Sequence, residues 1–183
     1  MDDANDLLRR CQEGDESALA KLVGQFGDRV FRLALRVLGD RGRAEEASAD
    51  AFVKLWRTAQ RWRGDADAGT WTYRVAYHTI LDHRRRKERS AVAPPVGLVD
   101  PRPGPVERTV QSEEETRSAQ RVHSAMSQLS EPDRALVHLY YFEELKLVEI
   151  GEIVGATRDV LKMRLARARQ KLRELLGDDE SLA

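Results

Sequence analysis

The prolines of this chain are concentrated in one segment, and that concentration limits the folds open to it. Five of the six prolines lie within twelve residues, from Pro94 to Pro105. Because proline lacks an amide donor and fixes its backbone φ angle, neither a helix nor a central strand can cross this segment. On both sides alanine, leucine, arginine and glutamate recur at helical spacing. We therefore expect an all-α fold in which two small helical domains, residues 1–90 and 112–183, are joined by a flexible Pro-rich linker, residues 91–111.

Charged residues cancel over the whole chain but are segregated along it. The 183 residues include 31 basic and 31 acidic side chains. Residues 158–173 hold seven basic residues against one acid, a net of +6, and residues 84–89 hold five against one, a net of +4. Residues 91–115 hold two basic residues against five acids, a net of −3. Two basic patches therefore flank an acidic connector, a pattern compatible with a polyanionic partner in spite of the zero sum.

The sequence offers no sign of membrane insertion or export. No apolar run approaches the roughly 20 residues that span a bilayer, and the N-terminus lacks a basic region followed by an apolar stretch. Cys11 is the only cysteine, so no disulfide forms within the chain, and we interpret it as a small helix filler. We expect a cytoplasmic protein that does not insert into membranes.

Three helices are predicted in the N-terminal domain. The first starts at an acidic pair after Gly14 and stops at Gly39, with an apolar face formed by Leu19, Leu22, Val23, Phe26, Val30, Leu33 and Val37. The second runs from about Arg43 to Trp62. It presents Ala44, Ala47, Ala51, Leu55 and Trp62 on one face. A loop of small residues, 63–69, precedes a third helix from about Thr70 to Lys87.

The third helix combines aromatic and basic side chains. It carries Trp71, Tyr73 and Tyr77 near arginines and ends in the basic run 84–89. Exposed bases of single-stranded nucleic acid stack on aromatic rings while nearby cations hold the phosphates. We expect Tyr73 and Tyr77, four residues apart, to be exposed for such contacts. Trp56 and Trp62 are interpreted as core residues, and the pattern leaves both readings open for Trp71.

The C-terminal domain contains a helix-turn-helix pattern. A helix over about 113–128 leads to Ser130, a candidate N-cap, and to Pro132, which lies near the first turn of a helix predicted over 133–143. The segment 146–165 then gives a short apolar-faced helix, a turn at Gly155, and a long basic helix capped by Thr157. This order of elements is typical of the helix-turn-helix, whose second helix enters the major groove of DNA.

The last helix has distinct faces at 100° per residue. One side gathers the apolar residues Leu161, Leu165, Ala168, Leu172 and Leu175. The opposite crest holds Asp159, Met163, Ala166 and Gln170, and its flanks hold Lys162, Arg169 and Arg173 on one edge and Arg164, Arg167 and Lys171 on the other. Such a helix fits a major groove, with its edges at phosphates and its crest at bases; the alternative is a solvated amphipathic surface helix.

Together these elements resemble the sigma-70 family, specifically the compact extracytoplasmic-function type of bacterial RNA polymerase sigma factor. The stretch 44–57, AEEASADAFVKLWR, resembles the polymerase-binding helix of the family. The stretch 63–76, with RGD and TWTYRVA, resembles its −10 recognition and promoter-melting element. The stretches 129–143 and 164–172, LSEPDR through YFE and RLARARQKL, resemble its −35 recognition domain. The resemblance covers nearly the whole chain.

The resemblance implies a division of roles among named residues. Polymerase binding falls to Asp50, Phe52, Lys54, Leu55 and Trp56. Recognition of the melted −10 strand falls to Arg63, Gly64, Asp65, Trp71, Tyr73, Arg74, Tyr77, His78, Arg84 and Arg85. Recognition of the −35 duplex falls to Thr157, Arg158, Lys162, Met163, Arg164, Ala166, Arg167, Arg169 and Lys171. Core RNA polymerase, promoter DNA and an anti-sigma factor are the implied partners, with no cofactor, no metal and no enzymatic activity.

Four departures from the family pattern concern base preference at His78 and the start of the recognition helix, the polymerase contact at Ala49 and helix capping at Lys146. His78 stands where an asparagine is common, and Ala49 where a glutamine is usual. The recognition helix starts with Thr157, Arg158, Asp159 and Val160 in place of the common Pro-x-Gly-Thr. Lys146 replaces the usual serine N-cap, at a cost of about 1 kcal/mol. The promoter sequences read by relatives therefore do not transfer to this chain.

Three other functions are weighed against this one. A stand-alone helix-turn-helix repressor would explain the second domain but leaves the aromatic and basic third helix without purpose. A metal enzyme built on His78, Asp82 and His83 is disfavoured, because positions 78 and 83 fall about 140° apart around a helix. A purely structural helical protein would tolerate charge reversal of Arg164 and Arg167.

Overall fold

A computed structural model describes residues 3–90 and 121–177, and all regular structure within them is helical. The helices are α1 (Ala4–Gln12), α2 (Glu16–Leu38), α3 (Arg41–Thr58), a 3-10 turn (Ala59–Arg61), α4 (Ala68–Ser90), α5 (described over 121–127), α6 (Glu131–Tyr141), α7 (Leu147–Val154) and α8 (Arg158–Leu176). The all-α prediction is confirmed. The linker predicted over 91–111 and the first part of the helix predicted over 113–128 lie outside the described residues.

Local capping sets the ends of α2 where the sequence predicts them. Asp15 Oδ1 accepts hydrogen bonds from the amides of Ser17 and Ala18, at 2.8 and 3.3 Å. The Ser17 hydroxyl, which donates to the same oxygen at 2.6 Å, the Arg10 guanidinium and these amide bonds together hold the pKa of the Asp15 carboxyl well below its usual range. At the other end Gly39 adopts the left-handed conformation, φ 67°, that ends a helix readily only at glycine.

The first helix was not predicted from the sequence. Asp3 caps α1, and Leu7, Leu8 and Cys11 enter the core on one face. The signal was present in the cap residue and in the four-residue spacing from Leu7 to Cys11. The helix is only nine residues long, so its stability comes mainly from packing on α2 and not from its own propensity. Burial raises the pKa of the Cys11 thiol and fits its role as a helix filler.

The helix-turn-helix is formed by α7 and α8, with Gly155 in the turn at φ 72°. Gly151 is the second glycine that the turn requires, because a Cβ there would lie 2.7 Å from the Ala156 carbonyl oxygen. The preceding helix α6 begins at Glu131, two residues earlier than predicted, since Pro132 fits the first helical turn without losing a hydrogen bond.

Side-chain capping is weaker than predicted at two helix starts. Ser130 and Thr157 occupy the N-cap positions of α6 and α8, but neither side chain bonds a backbone amide of its helix. The Ser130 hydroxyl instead bonds the Asp133 carboxylate. At α7, Glu149 Oε2 accepts a hydrogen bond from the Lys146 amide at 2.6 Å, which is one half of a capping box.

The two helical units are in contact. Helix α6 packs against α2, and α7 packs against α4. Five consecutive residues of α6, 135–139, are buried, which a helix achieves only when it is covered on more than one side. Among the described residues, no helix is both long and apolar enough to cross a membrane.

Candidate nucleic-acid interface

The outer face of α8 forms an exposed basic surface. Leu161, Leu165, Ala168 and Leu172 are buried, as the helical period predicts. Leu175 was expected with them but is 37% exposed, because Leu176, four residues after Leu172, packs on the core instead. The remaining side of the helix faces solvent.

The structure places the whole predicted duplex-reading set on α8 and its N-cap. Met163 is 57% exposed at the crest, and Arg164 alone in the set is half-buried. The others are exposed, namely Thr157, Arg158, Lys162, Ala166, Arg167, Arg169 and Lys171. This surface has the shape and charge that major-groove binding requires, although its role remains a prediction.

Contacts outside α8 hold three of its cations. Arg169 Nε donates to the Tyr141 hydroxyl at 2.5 Å, and its guanidinium lies 5.9 and 5.7 Å from the rings of Tyr140 and Tyr141. Lys171 Nζ donates to the Gln128 carbonyl at 2.6 Å. The third, Arg164, pairs with a carboxylate of α6. Sequence reasoning missed these partners, because they lie 28 to 43 residues away along the chain.

Four other cations of α8 are unpaired. Arg158, Lys162, Arg167 and Arg173 are exposed, and none has a hydrogen-bond or ion-pair partner within 3–90 or 121–177. An exposed unpaired guanidinium can turn to a phosphate or a base edge without first breaking an internal contact. These four residues are therefore the most available cations of the basic surface.

The predicted single-strand set divides into exposed and covered residues. Arg63, Gly64 and Asp65 of the loop are exposed, as are Arg74, His78 and Arg85 on α4. Trp71 is half-buried, and its indole N–H is buried without a hydrogen-bond partner in the described residues. Arg84 is half-buried and pairs with Glu131 of α6.

The expectation that Tyr73 and Tyr77 are exposed is wrong for this structure. Tyr73 is 2% exposed and Tyr77 5% exposed. The Tyr73 hydroxyl bonds the carboxylate of Glu143, which lies 70 residues away in the C-terminal unit. Burial, assisted by that contact, raises the pKa of the Tyr73 hydroxyl far above its usual value, and burial raises that of Tyr77 as well.

Glu143 is the centre of the contact between the two units. Its side chain is 1% exposed, and Oε2 lies 2.8 Å from Arg29 Nε of α2. On its own side, Oε1 lies 3.1 Å from His138 Nε2 of α6. Burial by itself raises the pKa of Glu143, but the contacts with His138, Tyr73 and Arg29 outweigh it and keep the pKa below its ordinary value. Burial also lowers the pKa of His138, and the nearby carboxylate offsets this only in part.

The predicted polymerase-binding set is only partly on the surface. Phe52 and Leu55 are 8% and 1% exposed, so neither side chain lies on the surface, and their assignment to polymerase binding stays a prediction. They fall on the same helical face as Ala51 and Ala59, which packs into the N-terminal core. Trp56 is half-buried against that core.

The two charged members of that set tie α3 to α4. Asp50 Oδ2 lies 2.8 Å from His83 Nε2, and Lys54 Nζ donates to Asp82 Oδ2 at 3.2 Å. Of the three residues considered as metal ligands, His83 and Asp82 are therefore engaged by α3. The third, His78, lies on the surface, and its pKa is lowered by partial burial of the ring and by the charge of Arg74. In the described ranges no cluster of three His, Cys, Asp or Glu residues could hold a metal ion.

The tryptophan of the second predicted helix is a core residue, as expected. Trp62 is 6% exposed, and its indole Nε1 donates to the Ala66 carbonyl at 2.8 Å. This bond holds the loop 63–69 against the core. Gln12 of α1 fixes the same region from the other side by donating to the carbonyls of Ala59 and Trp62, at 3.0 and 2.7 Å.

Comparisons with known proteins agree with this division into two units. Residues 22–90 match the family model Sigma-70 region 2, and residues 125–174 match Sigma-70, region 4. The ECF RNA polymerase sigma factor SigW of Bacillus subtilis (strain 168) is 29% identical over 184 residues, covering 93% of this chain and 95% of the relative. The ECF RNA polymerase sigma factor SigK of Mycobacterium sp. (strain KMS) is 30% identical over 181 residues, covering 96% and 91%.

Two solved structures share the fold. CnrH, solved in complex with the cytosolic domain of CnrY, is 22% identical with a TM-score of 0.68, covering 97% of this chain and 99% of that one. The sigma factor RpoE of Bartonella quintana, solved with the anti-sigma factor NepR, is 18% identical with a TM-score of 0.71, covering 87% and 97%.

Proposed function

The chain belongs to the extracytoplasmic-function sigma factors of the sigma-70 family, and from that premise we propose that its two helical units read one promoter at two places. We assign residues 1–90 to core polymerase binding and −10 melting, 91–111 to a linker, and 112–183 to −35 recognition. The observation that carries the assignment is the exposed basic face of α8 directly after the Gly155 turn.

In the C-terminal unit, α8 enters the major groove at the −35 element. Arg167 lies on the flank of α8 next to Met163 of the crest and has no internal partner in the described residues, so of the flank cations it is the one we assign to a base edge and not to a phosphate. Arg169 and Lys171 are anchored by Tyr141 and Gln128, which suits cations that hold phosphates at a fixed distance. The departures at Thr157 to Val160 give this chain its own −35 preference.

In the N-terminal unit, the loop 63–69 and α4 bind the melted −10 strand. A base extruded from the opening duplex enters the loop region, while Tyr73, Tyr77 and the exposed Arg74 contact the strand that follows. Stacking on an aromatic ring contributes roughly 1–3 kcal/mol per base, which helps to offset the few kcal/mol lost when a base is extruded. Exposed His78 stands on this helix and alters the −10 preference.

Core polymerase binds the outer face of α3. Asp50 and Lys54 remain accessible there, with 55% and 44% of their side chains exposed, while Phe52 and Leu55 support the surface from inside. The factor acts in the cytoplasm as a non-catalytic initiation subunit, without cofactor or metal. The sigma factor RpoE, which shares this fold, was solved in complex with the anti-sigma factor NepR, and this supports an anti-sigma factor as regulator of the present chain.

Reconstituted transcription tests this proposal. Bacterial core polymerase, a genomic DNA library and this chain should yield a discrete set of start sites that core polymerase alone does not produce. Duplex binding distinguishes the alternative of a stand-alone regulator, because a repressor binds its site tightly without polymerase. Start sites that are unchanged by addition of the chain would refute the proposal.

The melting role is tested at Tyr77. Replacement with alanine should lower permanganate reactivity of the melted strand more than it lowers closed-complex binding, because the stacking surface is lost. Tyr77→Phe keeps the ring and serves as the matched control. A loss confined to closed-complex binding, with normal melting, would place Tyr77 outside the strand-binding site.

A further inference from the structure

Two large apolar side chains are exposed on the N-terminal half of α8, the part of a recognition helix that contacts base edges. Val160 is 43% exposed and Met163 is 57% exposed. Residues three apart on a helix are surface neighbours, so the two side chains form one apolar strip. Charged residues surround this strip, since Asp159, Lys162 and Arg167 beside it are also exposed.

The apolar strip takes no part in the packing of α8. The buried side of the helix is centred on residues such as Leu161 and Leu165. At 100° per residue, Met163 falls about 160° and Val160 about 140° from Leu165, so both side chains point away from the core. Single exposed apolar residues are common on protein surfaces. These two, however, occupy neighbouring positions on a basic surface where hydrogen-bonding side chains would otherwise read bases.

The chemistry of the two side chains restricts what they can recognise. Valine has no hydrogen-bonding group and the methionine sulfur is only a weak acceptor, so neither suits a phosphate or the polar groups of a base edge. The major groove offers one apolar group, the C5-methyl of thymine. We propose that Val160 and Met163 recognise the C5-methyl group of a pyrimidine in the −35 duplex. The inference rests on the proposed function and adds to it the chemical group that this part of α8 reads.

The neighbouring arginine fits this assignment. Arg167 lies four residues after Met163, about 6 Å farther along the helix axis, and it has no internal partner in the described residues. An arginine at a base edge selects guanine. Successive bases of one strand are about 3.4 Å apart, so a methyl group that contacts Met163 lies within about two base steps of that guanine. We therefore expect a −35 sequence in which a methylated pyrimidine stands close to a guanine.

Replacement of thymine by deoxyuridine tests the proposal, because it removes the C5-methyl and leaves every hydrogen-bonding group of the base in place. The full-length chain with bacterial core polymerase is bound to a promoter obtained from the reconstituted transcription. Each thymine of the −35 duplex is replaced in turn, and closed-complex binding is measured. At one or two positions the replacement should weaken binding about fourfold, the factor expected for one methyl group removed from water.

The same methyl group is also carried by 5-methylcytosine. At each sensitive position the T·A pair is therefore changed to C·G, with and without the cytosine methyl. A gain of about fourfold on methylation would show that the apolar strip reads the methyl on either base. An equal affinity for the two cytosine duplexes would identify thymine as its source.

Variants identify the side chains responsible. Met163→Ala and Val160→Ala should each reduce the difference between thymine and deoxyuridine to less than about twofold at one position. Met163→Leu keeps an apolar side chain of similar size and should retain most of the difference. Lys162→Ala removes an exposed cation from the other flank of the helix and should weaken binding to both duplexes alike. Alanine favours helix formation, and far-ultraviolet circular dichroism verifies that each variant remains helical.

The outcomes separate the apolar strip from the function it rests on. If the polymerase selects discrete start sites but no thymine of the −35 duplex is sensitive to loss of its methyl, the strip is refuted and the proposed function stands. A sensitivity that survives in both Met163→Ala and Val160→Ala would also refute it, because another residue would then contact the methyl. If no start sites are selected, both inferences fail. A sensitivity that is lost in the two alanine variants and kept in Met163→Leu and Lys162→Ala supports both.

Discussion

Arg164 of α8 donates twice to one oxygen of Asp133 on α6, from Nε at 2.9 Å and from Nη2 at 2.7 Å. The pair joins the recognition helix to the helix that contacts the N-terminal unit. Each side chain is about 30% exposed, so the ion pair is screened by water and contributes little to stability. Its more important effect is to neutralise one cation of the basic surface.

We expect Asp133→Asn to release Arg164 for DNA phosphates. Nonspecific duplex binding should become stronger, and the slope of log K against log salt should steepen by about one, because one more phosphate contact releases one more counterion. The free energy of unfolding should fall by no more than about 1 kcal/mol. Asp6→Asn, an exposed acid of α1, is the charge-matched control. An unchanged salt slope in Asp133→Asn would contradict the prediction.

Substitution of Arg167 and substitution of Arg169 should have different effects on DNA binding. Arg167→Ala should weaken −35 binding by about 1–3 kcal/mol and change base preference, because an unpaired arginine on the solvent face is free to reach base edges. Arg169→Ala should weaken binding to all sequences alike and lower the salt slope by about one. Binding profiles over a randomised duplex library distinguish them, and identical preference profiles would refute the assignment of faces.

Lys146→Ser should stabilise the helix-turn-helix. Glu149 already accepts the amide of Lys146, and a serine hydroxyl would add the reciprocal bond of the capping box. The expected gain is about 1 kcal/mol in the free energy of unfolding, measured with urea. Lys146→Ala removes the lysine without adding a hydroxyl and should give no such gain; an equal gain in Lys146→Ala and Lys146→Ser would show that capping by the hydroxyl is not its cause.

Acidification should lower the free energy of unfolding. His138 is buried and its pKa is lowered, so the folded state favours the neutral ring, and stability should fall as pH drops below about 6.5. Glu143 has a lowered pKa and favours its charged form, so a further loss follows at more acidic pH, below about 4.5. The cations facing this pair from α2 are Arg29, Arg32 and Arg36, which repel a protonated His138.

Urea unfolding between about pH 7 and pH 5.5 measures the histidine contribution. The starting protein should lose stability over this interval, and His138→Gln should lose much less, keeping only the contribution of the more exposed His78, whose pKa is also lowered. His123→Gln changes an exposed histidine of α5 and should retain the loss. Tyr73, which also contacts Glu143, has a raised pKa and stays neutral throughout. A pH-independent starting protein would contradict the prediction.

Features that depend on near neighbours in the chain were determined by the sequence. The ends of α2 at Asp15 and Gly39, the turn at Gly155 and the buried stripe of α8 all follow from contacts within four residues. The same periodicity also placed Leu55 on the apolar face of α3, and the structure confirms that this side chain is buried.

Features that depend on which surfaces meet were decided only by the tertiary structure. Tyr73 and Tyr77 lie on one face of α4 both by helical periodicity and in the structure. Whether that face meets solvent depends on the C-terminal unit, whose Glu143 carboxylate, 70 residues from Tyr73, bonds the Tyr73 hydroxyl. Helical periodicity is a local property, whereas the burial of Glu143 requires Arg29, Tyr73 and His138 to converge from three helices. The sequence alone therefore determined the two units and their faces, and the packing between them decided which of those faces is free.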